Sequence, residues 1–85
     1  MIGDTFRALS DKTRREILMM LRDGEMTAGE IADKFATRHA TVSHHLKILK
    51  DAKLVFVERK GQNIIYSLNT TVFQDIMAWL MKFND

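Results

Sequence analysis

Met26–Lys50 reads MTAGEIADKFATRHATVSHHLKILK, a stretch that divides into two short amphipathic helices separated by a polar break. In the first, Thr27 stands as an N-cap with Glu30 three residues on. That is the spacing at which the two side chains and the first-turn amides satisfy one another. Ile31, Ala32 and Phe35 supply its inward face. The second helix is predicted to start around Arg38 to Ala40 and to run to about Asp51. Its apolar positions Val42, Leu46 and Leu49, flanked by Ile48, follow the 3.6-residue period. His39, Ala40, Thr41, Ser43 and His44 then fall in its first turns and mostly on the other side.

Downstream comes LVFVERKGQNIIYSL, residues 54–68. Leu54 to Glu58 and Ile64 to Leu68 are rich in Val, Ile, Phe and Tyr and read as strands. Gly61 is the residue between them that takes positive φ readily, so a hairpin is expected there. Upstream, Ile2, Phe6 and Leu9 suggest a short first helix over about 2–9. Ser10 or Asp11 can cap the next helix, whose apolar stripe is Ile17, Leu18 and Leu21 and whose stop is Gly24. Asn69 or Thr70 caps a final helix over about 70–83. The expected fold is mainly α with a small β-hairpin, in the order α-α-α-α-β-β-α. Helix, turn, helix and then a basic hairpin is the order of a winged helix-turn-helix, with the helix pair at about 27–51 and the wing at about 54–68.

Bulk properties narrow the class. Eighty-five residues with 46% apolar content fit one small domain with a thin core. Cysteine is absent, which removes disulfides, thiol nucleophiles and thiolate metal sites. Apolar runs are far too short to span a membrane, and Asp4, Arg7 and Asp11 interrupt the start where a signal peptide would be apolar, so a cytoplasmic location without membrane insertion is expected. Proline is absent, and no linker or repeat marks an internal boundary.

The net charge of +2 is unevenly spread. Residues 1–33 hold five Lys/Arg against seven Asp/Glu, which is −2; residues 34–60 hold seven against two, which is +5; residues 61–85 hold one against two, which is −1. Positive charge on the second helix of the pair and on the hairpin points to a polyanionic partner, double-stranded DNA. Residues at the start of the second helix of such a pair enter the major groove. Ser, Thr and His bond bases or phosphates, and Ala40 or a Thr41 methyl can meet a thymine methyl. Arg38, Lys47 and Lys50 read as phosphate contacts that position the helix. In the wing, Arg59 and Lys60 reach a minor groove or its phosphates, with Gln62 and Asn63 able to bond either.

The last helix carries Val72, Phe73, Ile76, Met77, Leu80, Met81 and Phe83, with Trp79 besides. One small domain cannot cover all of these. The surplus predicts a homodimer through Phe73, Ile76, Met77, Leu80 and Met81 of the last helix. Burial against the first helix of the same chain is the alternative. His44 and His45 point about 100° apart on a helix and cannot chelate one ion as an i,i+4 pair does, so no metal and no cofactor is expected. His45 is expected to pack and hydrogen-bond where its helix crosses a neighbour. Ser43 beside His44 is not a nucleophile facing its base, and no phosphate-cradling glycine loop is present, so an enzyme is not expected.

At FRALSDKTRREIL, MTAGEIADKF, TVSHHLKILKDAKLV and ERKGQNIIYSL the chain resembles the ArsR/SmtB family of winged-helix repressors over nearly its full length. The block Ser43-His44-His45-Leu46 and the wing pattern Arg59-x-Gly61…Tyr66-x-Leu68 carry the resemblance together. MTAGEIA, SHHLKILK, RKGQ and YSLNTTVFQD are most similar to the subgroup of SdpR-type autorepressors. The resemblance implies a homodimer held by the first helix, at Ile2 and Phe6, together with the last, a twofold-symmetric operator and repression of transcription. The family's reading-helix contacts fall on His39, Ala40, Thr41, Ser43 and His44, and its wing contact on Arg59 to Gln62.

Three departures stand out. Metal-sensing members place Cys pairs before the reading helix, where this chain has GEIADKF. Others place Asp and His along the last helix, where Asp75 has no His beside it. The position after the reading helix, often Gly, is Lys53, and the usual Pro after Asp11 is Lys12. A left-handed Lys53 is therefore expected. No response to metal through the known sites is implied, and a ligand, a protein partner or the chain's own concentration stays open as what releases the DNA. Two other readings remain: a winged helix used to bind proteins, and a metal sensor with an intersubunit His site.

Overall fold

The computed structural model describes residues 2–84, Ile2 by its backbone alone. The elements follow as α1 (Ile2–Leu9), α2 (Lys12–Leu21), β1 (Met26–Thr27), α3 (Ala28–Ala32), α4 (His39–Asp51), β2 (Val55–Lys60), β3 (Asn63–Leu68) and α5 (Thr70–Met81). Ile17, Leu18 and Leu21 of α2, Ile31 and Ala32 of α3, and Val42, Leu46 and Leu49 of α4 form one buried cluster. Ala8, Ala52, Leu54 and Val55 close it. Each helix contributes one stripe, as the 3.6-residue period requires. The inward positions of α1 are Thr5 and Ala8, and Phe6 is exposed.

Local chemistry sets the boundaries. Asp11 caps α2, its Oδ2 accepting from the Arg14 amide at 3.0 Å. Glu30 N donates to Thr27 Oγ1 at 3.1 Å and Thr27 N donates to Glu30 Oε1 at 2.8 Å, which completes the expected capping box on α3. Phe35 lies beyond α3, half-buried against the core.

The expected topology lacks one strand. β1 pairs with β3 through Met26↔Tyr66 and Thr27↔Ile65, so the sheet has three strands in the order β1-β3-β2. Two residues cannot display an alternating pattern, and Thr27 also serves as the cap of α3, so the sequence carries only the capping signal. The hairpin strands also run further than expected, to Lys60 and from Asn63, and leave Gly61-Gln62 as a two-residue turn. Gly61 has φ +61°, which suits a turn with glycine at its first central position.

Lys53 is the one non-glycine residue of the described chain in the left-handed region, with φ +66°. Leu54 N donates to Leu49 O at 3.1 Å and Lys53 N to Lys50 O at 3.0 Å. These two bonds, with Leu49 and Leu54 both fully buried, end α4 as a Schellman motif does. They offset the cost of placing a β-carbon in that conformation. Asn69, expected to cap α5, makes no capping bond. Its Nδ2 instead donates to the Lys53 carbonyl at 2.8 Å, and its own amide donates to Leu54 O at 3.0 Å. The amide side chain is spent on the exit from α4.

Candidate nucleic-acid interface

Burial of Val42, Leu46 and Leu49 turns the opposite side of α4 to solvent. His39, Ala40, Thr41, Ser43, His44 and Lys47 are all exposed there, as is Arg38 just before the helix. Arg38 occupies the N-cap in extended conformation without a side-chain capping bond. The first-turn amides of α4 thus lack the side-chain acceptor that α2 and α3 have, and such a terminus is suited to an anion.

The charges of this face are partly neutralised within the chain. Lys47 Nζ lies 2.8 Å from Asp51 Oδ2, and Lys47 holds the Asp51 carboxyl below its ordinary range. His39 Nε2 lies 3.5 Å from Asp33 Oδ1, and Lys60 Nζ lies 3.7 Å from Glu58 Oε1. All three pairs are well exposed, so each contributes little stability and opens at little cost. In the wing, Arg59, Lys60, Gln62 and Asn63 are exposed around the Gly61 turn.

The two neighbouring histidines are separated by the helix as expected. His44 is exposed, whereas the His45 side chain retains 14% of its exposure and faces α2. His45 Nδ1 lies 3.2 Å from Arg14 Nη1 and 3.7 Å from Asp11 Oδ2. Arg14 Nε also donates to Ala8 O at 2.7 Å and its Nη2 to Arg7 O at 3.3 Å. One guanidinium therefore joins the last carbonyls of α1 to the inner side of α4. The Arg14 amide holds the Asp11 carboxyl below the ordinary value of 3.8; partial burial opposes this, and the nearby His45 and Arg14 charges reinforce it. His45 thus packs where its helix crosses a neighbour, as expected, whereas its partner Arg14 is not apparent from the sequence, because a contact spanning 31 positions leaves no local pattern. Among the described residues no three His, Cys, Asp or Glu side chains converge on a point that could hold a metal ion.

The residues expected at a dimer seam separate into two groups. Phe73 is half-buried against the core, and Ile76 is half-buried as well. Met77, Leu80 and Met81 are 63%, 52% and 58% exposed. Phe6 meets Trp79 with ring centroids 5.6 Å apart, and Trp79 meets Phe83 at 5.0 Å. Contact between the first and last helices of one chain is thus real, yet it leaves most of the α5 surface open. The expected role of Ile2 concerns a side chain outside the described residues.

Residues 9–58 match the model of a helix-turn-helix domain family. The chain is 51% identical over 82 residues to the transcriptional repressor SdpR of Bacillus subtilis (strain 168), covering 96% of this chain and 91% of that one. It is 38% identical over 83 residues to an arsenical resistance operon repressor of Staphylococcus aureus, covering 98% and 80%. Among solved structures it is similar to an ArsR family transcriptional regulator, with a TM-score of 0.92 at 26% identity over 98% of this chain and 91% of the other. It is also similar to a homodimeric winged helix-turn-helix DNA-binding domain from Mycobacterium bovis, with a TM-score of 0.79 at 26% identity over 99% and 78%.

Proposed function

Because this chain belongs to the ArsR family of winged helix-turn-helix transcriptional repressors, we propose that two copies, joined through α1 and α5, bind an operator of twofold symmetry and repress the gene beside it. The observation that carries this reading is the division of α4. Its apolar stripe is fully committed to the core, and every one of His39, Ala40, Thr41, Ser43 and His44 is left in solvent at the helix start. Ser43 and His44 read bases, Ala40 and Thr41 contact thymine methyls, and Arg38, Lys47, Arg59, Lys60 and Gln62 hold phosphates or the wing's groove. Homodimerisation is supported by the open apolar surface of α5 and by the assembly stated for the Mycobacterium bovis domain.

Fluorescence anisotropy of the chain against its own upstream DNA and a scrambled duplex tests the reading. A preference of ~10³ or more is expected for the operator. Ser43→Ala and His44→Ala should each cost about 1–3 kcal/mol on the operator and much less on the scrambled duplex. Equal loss on both would remove these two residues from base reading. No metal is assigned to the release of DNA, and titration with zinc is expected to leave operator affinity unchanged.

A further inference from the structure

Between the last turn of α4 and the wing lies an open cleft of about 350 Å3, lined by Lys50, Val57, Arg59, Ile64 and Tyr66. The pairing explains why these residues meet. Val57 opposes Tyr66 and Arg59 opposes Ile64, so the four share one face of the hairpin, and Lys50 closes the cleft from the helix. Val57, Ile64 and Tyr66 are half-buried and form a floor, with Lys50 and Arg59 exposed at the rim. β3 is the central strand, tied to β1 at Met26 and to β2 at Val57, so Tyr66 is held from both sides.

The rim cations lack the acidic partners that three of their neighbours have. Lys47, Lys60 and His39 each have an acid within 4 Å. The side chains of Lys50 and Arg59 make no ion pair or hydrogen bond among the described residues, the Lys50 charge acting on Asp51 only at longer range, and the Tyr66 hydroxyl has no hydrogen-bond partner there either. Burial pushes the Tyr66 hydroxyl up from its ordinary value of 10.0, so at neutral pH it is an O–H donor. Two unpaired cations and one donor therefore face an apolar floor.

We propose that this cleft seats a single backbone phosphate of the bound duplex, with Lys50 and Arg59 on its anionic oxygens, the Tyr66 hydroxyl donating to it, and the sugar edge against Val57 and Ile64. The proposal rests on the DNA-binding reading above and deepens it. A phosphodiester suits the cleft because it is both anionic and flanked by apolar sugar carbons. The contact carries no base information; it fixes the wing against the helix on the duplex.

The test uses the whole chain with Lys50→Gln, Arg59→Gln, their combination and Tyr66→Phe, each checked by thermal melting for an intact fold. Both single cation variants should weaken binding to operator and scrambled duplex by the same factor, about tenfold. The double variant should flatten the slope of log K against log salt by about 0.9 per bound copy, the worth of one phosphate. A change of about 1.8 would mean two separate phosphates and would overturn the shared seat, as would an unchanged slope. Tyr66→Phe should lower affinity several-fold without altering the slope; wild-type affinity in this variant takes the hydroxyl out of the seat and overturns the proposed contact.

Duplexes with single methylphosphonates supply the second arm. One neutralised position per half-site should weaken the wild type and cost the double variant nothing further. An additive loss at every position would overturn the seat. Failure of the wild type to bind any duplex would instead sink the DNA-binding reading, and the phosphate seat with it.

Discussion

The α2–α3–α4 unit and helix α5 are both written in apolar residues, yet they end differently. In the first, Ile17, Leu18, Leu21, Ile31, Val42, Leu46 and Leu49 are all buried within one chain. In α5 no residue is buried, and Met77, Trp79, Leu80 and Met81 remain exposed. The shape agrees: a radius of gyration of 13.4 Å exceeds the roughly 12 Å of a compact chain of this length, and the extents are 47 × 25 × 22 Å. Apolar patterning thus announces that a face will be covered without saying by which molecule. The closed unit makes a fold, and the open helix leaves the face that the proposed second copy would cover.

The contrast can be broken at its closed end first. Leu46→Ala removes a buried side chain of α4 and should cost about 2–5 kcal/mol in urea unfolding. A loss below 1 kcal/mol would mean that the unit is loosely packed after all. At the open end, Leu80→Asp should weaken self-association by about 2 kcal/mol or more, halving the mass in sedimentation equilibrium at micromolar concentration while far-UV circular dichroism keeps the helical signal. If the variant unfolds instead, α5 belongs to the monomer's own core and the contrast disappears.

Asp11 sharpens the closed side of the comparison, at the start of α2. Its carboxyl is held below the ordinary 3.8 in the folded chain. The sign follows: the stabilisation is complete above that ordinary value and is lost as pH falls through the folded one. Asp11→Asn keeps a capping acceptor and removes only the charge, so it should cost roughly 0.3–1 kcal/mol at pH 7. That difference should vanish in melts taken well below pH 3.8; a penalty independent of pH would mean that the charge is not what stabilises. The smallest effect has the opposite sign. Lys53→Gly relieves the left-handed β-carbon and, after the entropy glycine loses on folding, should raise stability by roughly 0.5 kcal/mol. Guanidinium titration would register it, and a loss would mean that the Lys53 stem packs usefully on the surface.

What the sequence disclosed follows the range of each interaction. The capping box at Thr27 and Glu30 and the stripe Val42, Leu46 and Leu49 are local, and the left-handed Lys53 follows from the glycine usual at that position in the resembled family; each was legible. β1 was not, because two residues show no period, and its partner lies forty positions away at Tyr66. Asn69 does stand at the N-cap position of α5, but its side chain is committed elsewhere: Nδ2 donates to the Lys53 carbonyl sixteen positions back, a partner that no local pattern reveals. For the interface, the exposed residues of α4 follow from the period alone. Which cations are already paired, and which are free in the cleft beside Tyr66, depends on side-chain geometry that no spacing rule contains.

The hook at Asn69 has one more consequence. Its two bonds to Lys53 and Leu54 tie the root of α5 to the exit of α4, so the wing leaves and returns through a single point. In the proposed symmetric pair joined along α5, that point would be the end of a lever, and two such levers would hold their reading helices at one separation. The protein would then act as a calliper. Duplexes whose half-sites sit about one helical turn apart would fit between its jaws, and a spacer longer or shorter by a few base pairs would be rejected without any base being touched.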